Sequence, residues 1–416
     1  MARTVTRKRF YFENLDGLRG LFFILVFISH GCDYKSPELQ THWVNPIVQF
    51  GTVHDTSLVL SFFFVMSSFI ITMLLLREKQ FEGQVHIGAF YLRRLLRIAP
   101  LYLVMLGIGF GLYPWLRSFG SHPYTEVASL WHHLVFIQNF DFVERMPEFL
   151  GLSVLWSLAV EEQFYLVWPL LLALVPRRAL FATFLGILAA VLAWQCTHDL
   201  SPFHTLTCAS DLAVGGLAAV AVFHAHQYRH PLARRWLLAV RHQSPVLIVA
   251  LWLAAIYLYR HGLRDAPAMV QPFERLVVDI VAVSVLLEQN YGRKSLFKLG
   301  YLPGFRKLGQ LAYGLYLLHA VAIVAVDDVL HLTGLPKTVW NIVLLKPVLA
   351  FALTVLGAMV SFRYFELPFL RLYGKLLPAP PKASATATVF IEPDLIPATA
   401  VPAPLALYTS TAVSSR

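Results

Sequence analysis

The sequence predicts an all-α, polytopic integral membrane bundle of about ten transmembrane helices with both termini cytoplasmic. Three observations predict it. Of the 416 residues, 57% are hydrophobic and only 14% charged, with a mean hydropathy of +0.61, which excludes an ordinary soluble domain. The apolar residues gather in ten windows, each close to the ~20 residues needed to cross a hydrocarbon core. The Lys and Arg residues are distributed unevenly about those windows, as they are in membrane proteins of fixed orientation.

In order, the windows are 15–33, 57–76, 98–115, 153–175, 179–196, 204–224, 244–260, 273–289, 309–331 and 339–362. With the N-terminus inside, 26 of the 34 Lys and Arg residues fall in cytoplasmic segments and 6 in external loops, while Arg275 and Lys346 lie within windows. This asymmetry accounts for the net charge of +10 without a nucleic-acid partner. Residues 1–9 are basic and 21–28 apolar, as in a signal peptide. Asp16 and Arg19 and the lack of a small-residue cleavage site make it instead an expected retained first span. The membrane domain is expected over 1–377. Residues 378–416, rich in Pro, Ala, Thr and Ser, are expected to be a disordered cytoplasmic tail. Cys32, Cys196 and Cys208 show neither a CxxC nor a Cys/His metal spacing. No metal site and no permanently bound cofactor is expected.

An ionisable residue inside a bilayer is costly and is therefore a functional candidate. The first window carries three between residues 15 and 30. Arg19 and His30 are eleven residues apart, so at ~100° per residue they point within ~20° of one another, with His30 ~16 Å further along the helix. Asp16 lies on the same side, one turn before Arg19. A neutral imidazole near pH 7 suits His30 to remove a proton from a hydroxyl; the competing reading is a histidine that packs two spans together. Asp16 and Arg19 read either as an (i, i+3) ion pair or as groups that orient the site, and the two are compatible.

Arg94 and Arg97 sit one turn apart before the third window, a spacing that suits phosphate oxygens or, equally, lipid headgroups. Glu161 and Glu162 interrupt the fourth window at a cost that requires pairing or a cavity. Either could orient His30 or meet an Arg, or the pair could simply hold spans together. Tyr313 and His319 are candidates to line an acceptor cavity or to join an interfacial aromatic belt. Asp211, beside the Gly215–Gly216 pair, and Glu366 read as structural.

The segments NLDGLRGLFFILVFISH (14–30), SFFFVMSSFIIT (61–72), FYLRRLLRIAPLY (90–102), WSLAVEEQFYLVWPLL (156–171), DLAVGGLAA (211–219), YGLYLLHA (313–320) and YFELPF (364–369) form an ordered set. Together they resemble the membrane acyltransferase type 3 family over about residues 10–375. The resemblance implies a multi-pass enzyme of the bacterial-type inner (plasma) membrane that moves an acyl group to a hydroxyl of an extracytoplasmic glycan. It implies acyl-coenzyme A, in the first instance acetyl-coenzyme A, as donor substrate held by Arg94 and Arg97. His30 is then general base, with Arg19, Asp16, Glu161 and Glu162 around it, or the carrier of a covalent acyl group. The sequence departs from the family pattern at Ser68, where Gly is usual, at Val154, where a His usually precedes Trp156, and before Asp211, where an Arg is usual. The rival readings are a glycolipid or polysaccharide transporter, against which stands the lack of an internal repeat, and a non-catalytic partner of a polysaccharide synthase.

Overall fold

The computed structural model describes residues 12–51, 56–119, 124, 126–198, 201–227, 230–261 and 271–376. The expected tail, 378–416, and the basic stretch 1–9 lie outside the described residues. Among the described residues every regular element is helical.

Helices occupy all ten positions where the sequence places an apolar window. They are α1 (Glu13–Gly31), α2 (Thr56–Glu82), α3 (Ile87–Gly107), α4 (Trp156–Leu174), α5 (Leu180–Gln195) and α6 (Thr205–Gln227). There follow the amphipathic α7 (Pro231–Arg241), then α8 (Pro245–His261), α9 (Gln271–Tyr291), the short α10 (Pro303–Gln310), α11 (Ala312–Leu332), α12 (Lys346–Ser361) and α13 (Leu367–Leu376). Among the described residues six helical stretches are long and apolar enough to cross a membrane, or seven if α7 and α8, which meet at 89°, count as one. The windows that fall short do so for physical reasons. α5 and α8 have 16 and 17 residues, α9 carries Glu274, Arg275, Asp279 and Glu288, and polar residues at both ends of α1, from Asn14, Asp16 and Arg19 to Ser29 and His30, lower its apolar character. The molecule is thus a multi-pass, all-α membrane protein.

Proline shapes two of the long helical stretches at three points. Each of the π-helical segments Ile108–Leu112, Asn341–Leu345 and Phe362–Glu366 is followed two residues later by a proline, Pro114, Pro347 or Pro368. A proline ring collides with the carbonyl four residues earlier. Those carbonyls belong to Phe110, Val343 and Tyr364, all inside the widened turns, where the extra residue relieves the collision. Pro100 and Pro169 sit within regular helix.

The charged helix α1 is held by backbone contact. A Cβ added to Gly17 would lie 2.4 Å from the carbonyl carbon of Leu299, one on Gly20 2.1 Å from the Phe305 carbonyl oxygen, and one on Gly309 1.8 Å from the Asp16 carbonyl oxygen. No side chain fits between α1 and the Leu299–Gln310 segment. Asn14 fastens the same corner: its side-chain oxygen accepts from Gly300 N–H at 3.1 Å and its amide donates to the Gln289 carbonyl at 2.8 Å.

A buried ion pair ties α6 to α9. Arg275 Nε and Nη2 each lie 2.7 Å from an oxygen of Asp211, with Asp279 close by and fully buried. The guanidinium missing from the segment before Asp211 is thus supplied by another helix. Ser68, where the family pattern has glycine, donates to the Leu212 carbonyl at 2.5 Å and keeps α2 and α6 in close contact.

Two substitutions test this account. Gly309→Ala is expected to cost about 1–3 kcal/mol through overpacking, read as a lower melting temperature in detergent. Arg275→Met, which strands two carboxylates in an apolar interior, is expected to cost about 3–5 kcal/mol. The same measurement on Arg275→Met checks the second value, and an unchanged melt for either variant contradicts the packing described.

Candidate functional site

Two polar regions lie along α1, eleven residues apart. At the first, Arg19 Nη1 is 3.4 Å from Asp16 Oδ1. The charges of Arg94 and Arg97 from α3, Glu161 from α4 and Glu366 from the segment after α12 converge on the same place. Arg94 lies over the Tyr165 ring, 4.5 Å from its centroid, a cation–π arrangement. Tyr165 in turn donates its hydroxyl to Glu161 Oε2 at 3.1 Å and meets Ser67 Oγ at 2.9 Å. Arg97 is exposed as a residue, and its charge lies among those of Arg94, Arg19 and Glu366. Glu162 Oε1 is buried without a hydrogen-bond partner among the described residues. Tyr313 donates to the Ile98 carbonyl at 2.6 Å, which joins α11 to α3 at this level.

At the second region, half-buried His30 opens onto a cavity of about 420 Å³, within the range of small-molecule sites. Its charged lining is Asp33, Asp327, Asp328, Arg117 and Lys346, of which four form two ion pairs. Arg117 bonds Asp328 at 2.7 Å and donates to the Tyr113 hydroxyl at 3.0 Å, and Lys346 pairs with Asp327 at 2.7 Å. A carboxylate that spends one lone pair on such a bond keeps others for hydroxyl donors. Behind His30, away from the cavity, lies His319. The two rings are joined by a 3.0 Å contact from His30 Nδ1 to His319 Nε2.

The structure therefore brings Arg19, Asp16, Arg94, Arg97 and Glu161 together, with Glu162 and Tyr313 beside them. His30 stands at the other end of the helix with His319. Neither Glu161 nor Glu162 forms a hydrogen bond with His30; Glu161 is held by Tyr165 instead. His319 is fully buried and Tyr313 bonds α3, so neither lines the cavity as expected for acceptor contacts. The cavity charges were missed. Adjacent Asp327 and Asp328 at the end of an apolar window are the same kind of signal that drew attention to Glu161 and Glu162, and Lys346 was visible as a cation inside a window. Glu78, Glu82 and His86 are close enough to share a cation. Their polar atoms already pair, however: His86 Nδ1 is 3.0 Å from both carboxylates and Arg93 is 3.5 Å from Glu78.

Comparisons with known proteins bear on this arrangement. Residues 12–363 match the model of the family described as an acyltransferase domain. The chain is 27% identical to the peptidoglycan O-acetyltransferase OatA of Listeria monocytogenes over 397 residues, covering 88% of this chain and 57% of the relative. It is 24% identical to a candidate O-acetyltransferase of Staphylococcus aureus strain COL, covering 88% and 58%. It is also 24% identical to the candidate peptidoglycan O-acetyltransferase YrhL of Bacillus subtilis strain 168, covering 87% and 55%. The chain thus spans a little over half the length of these relatives. No solved structure gives a significant match. The matched region contains both polar regions of α1, and the chain belongs to the acyltransferase 3 family and is homologous to O-acetyltransferases.

Proposed function

We propose that the chain transfers an acetyl group from acetyl-coenzyme A at the cytoplasmic face to a hydroxyl of an extracytoplasmic saccharide. Peptidoglycan, which the names of two relatives carry, is the first candidate acceptor. The observation that carries this reading is the pairing on one helix of a cation cluster and a histidine that opens on a cavity. At ~1.5 Å per residue the two are ~16 Å apart along α1, a distance that a pantetheine-like arm can bridge. The reading includes ten spans with both termini cytoplasmic in the inner (plasma) membrane, a catalytic unit over 1–377 and a disordered tail over 378–416.

In this mechanism Arg94 and Arg97 hold the donor's phosphates through charge-assisted hydrogen bonds. Arg19, tied to Asp16, adds a third cation, and Glu161 balances the cluster and orients it through Tyr165 and Arg94. Glu162 and Tyr313 border this cluster rather than the acceptor. The thioester extends along α1 to His30. The acceptor hydroxyl sits in the cavity, with Asp327 and Asp328 as hydroxyl acceptors on its wall. His30 takes the hydroxyl proton as the oxygen attacks the thioester carbonyl. The C–S bond of the tetrahedral intermediate then breaks, and the imidazolium returns the proton to the departing thiolate. An ester and free coenzyme A result, with no metal or other co-reactant consumed.

Membranes that hold the wild-type chain or His30→Ala, supplied with acetyl-labelled acetyl-coenzyme A, test the proposal. Label in polymeric or lipid-linked carbohydrate is expected to fall by ~100-fold or more in the variant, the scale of a lost general base; equal label refutes the role of His30. Arg97→Gln is expected to raise KM for acetyl-coenzyme A ~10-fold or more, the loss of a hydrogen bond to a charged group. An unchanged KM removes Arg97 from donor binding. Asp327→Asn is expected to raise KM for the saccharide and leave that for the donor alone, and the reverse pattern contradicts the acceptor cavity.

A further inference from the structure

The two histidines form a directional chain whose polarity can be worked out from its far end. His319 Nδ1 lies 2.6 Å from the Tyr316 carbonyl oxygen, one turn back on α11. A carbonyl oxygen can only accept, so Nδ1 of His319 carries the hydrogen. A neutral imidazole has a single N–H, so Nε2 of His319 is the bare nitrogen. That nitrogen is 3.0 Å from His30 Nδ1, and a hydrogen bond there requires His30 Nδ1 to donate. Nε2 of His30, on the other side of its ring, is left with its lone pair.

The ring geometry supports this chain. The imidazole planes are within 12° of parallel and their centroids 5.2 Å apart. With nitrogens in contact at 3.0 Å, such rings lie edge to edge in nearly one plane, which points the N–H along the acceptor lone pair. His319 is fully buried, flanked edge-on by Phe23 of α1 and at a tilt by the Tyr316 ring. The Tyr316 hydroxyl is anchored in turn, on the Val154 carbonyl at 3.0 Å and Ser157 Oγ at 2.6 Å. The imidazole of His319 is thereby held in place without touching the cavity.

We propose that His319 is a positioning residue that fixes the His30 tautomer, so that Nε2 of His30 is presented bare to the acceptor hydroxyl. The proposal rests on the general-base reading of His30 for its catalytic consequence, whereas the tautomer itself can be observed without turnover. In a neutral histidine without such a partner the proton sits on either nitrogen, and the Nε2–H form cannot accept a proton from a hydroxyl at that atom.

The test uses the full chain labelled with 15N-histidine, the His30 resonances being assigned by their loss in His30→Ala. The expected spectrum has a protonated Nδ1 and a bare Nε2 at His30 in the wild type, and loss of this pattern in His319→Phe. A wild-type His30 protonated at Nε2, or an identical His30 spectrum in His319→Phe, overturns the proposal. In transfer assays with labelled acetyl-coenzyme A and isolated peptidoglycan strands, His319→Phe is expected to lose ~100-fold in kcat, with KM for the donor unchanged. His319→Gln, whose Oε1 can accept from Nδ1, is expected to restore most of that loss. Equal kcat for the Phe variant and wild type, or no difference between Gln and Phe, also overturns it. If His319→Phe does not fold, the wild-type spectrum and the Gln variant decide. If the tautomer is as stated but His30→Ala still transfers acetyl groups, the general-base reading fails while the tautomer assignment stands.

Discussion

A helix that carries Asp16, Arg19 and His30 into an apolar interior needs each of those groups met by a partner at a fixed depth, and in this protein backbone contact sets that depth. The carbonyls of Asp16 and Phe305 occupy space that any side chain at Gly309 or Gly20 would need. Asn14 adds two hydrogen bonds at the same corner. Such contacts tolerate almost no sliding, because a shift of one residue exchanges glycine for a larger group. With α1 fixed in rotation and height, Arg19 meets the cation cluster and His30 meets His319. Were α1 free to turn, both polar regions would be lost together.

Three helices contribute to both regions. α1 provides Arg19 at one end and His30 at the other. α3 provides Arg94 and Arg97, and its continuation past the π-helical segment provides Tyr113 and Arg117. α11 provides Tyr313 at the first region, His319 behind the second, and Asp327 and Asp328 on the cavity wall. The proline-induced widening at Ile108–Leu112 lies between the two regions of α3. A helix with one extra residue in a turn presents its next residues rotated relative to an unbroken helix, so this irregularity helps set where Tyr113 and Arg117 face. The arrangement suits a reaction whose donor and acceptor lie on opposite sides of a bilayer. In the proposed reaction the reacting groups meet in the middle, and no substrate needs to cross completely.

The helices were legible in the sequence because hydropathy and length are local properties: all ten apolar windows coincide with helices, although only six or seven stretches meet the criteria for a full span. The Arg19–His30 stripe was legible because helical periodicity alone places both residues on one face. What escaped were properties of pairs distant in the chain. Arg275 as the partner of Asp211 is 64 residues away, and His319 as the partner of His30 is 289 residues away. No spacing rule reaches that far. Tyr313 and His319 are candidates from sequence either to line an acceptor cavity or to join an interfacial aromatic belt. Tertiary packing instead turned Tyr313 toward α3 and enclosed His319. The cavity wall was built from Asp327, Asp328, Arg117 and Lys346, whose charges are matched only once three segments come together.

Transfer across a sealed membrane tests the central claim most directly. Vesicles of one orientation would hold the full chain, with labelled acetyl-coenzyme A supplied only on the cytoplasmic face and peptidoglycan strands only on the opposite face. The account predicts ester-linked label on the strands while the vesicles remain sealed to coenzyme A, and none with His30→Ala. Transfer that occurs only when donor and strands share one side, or that persists without His30, would contradict it.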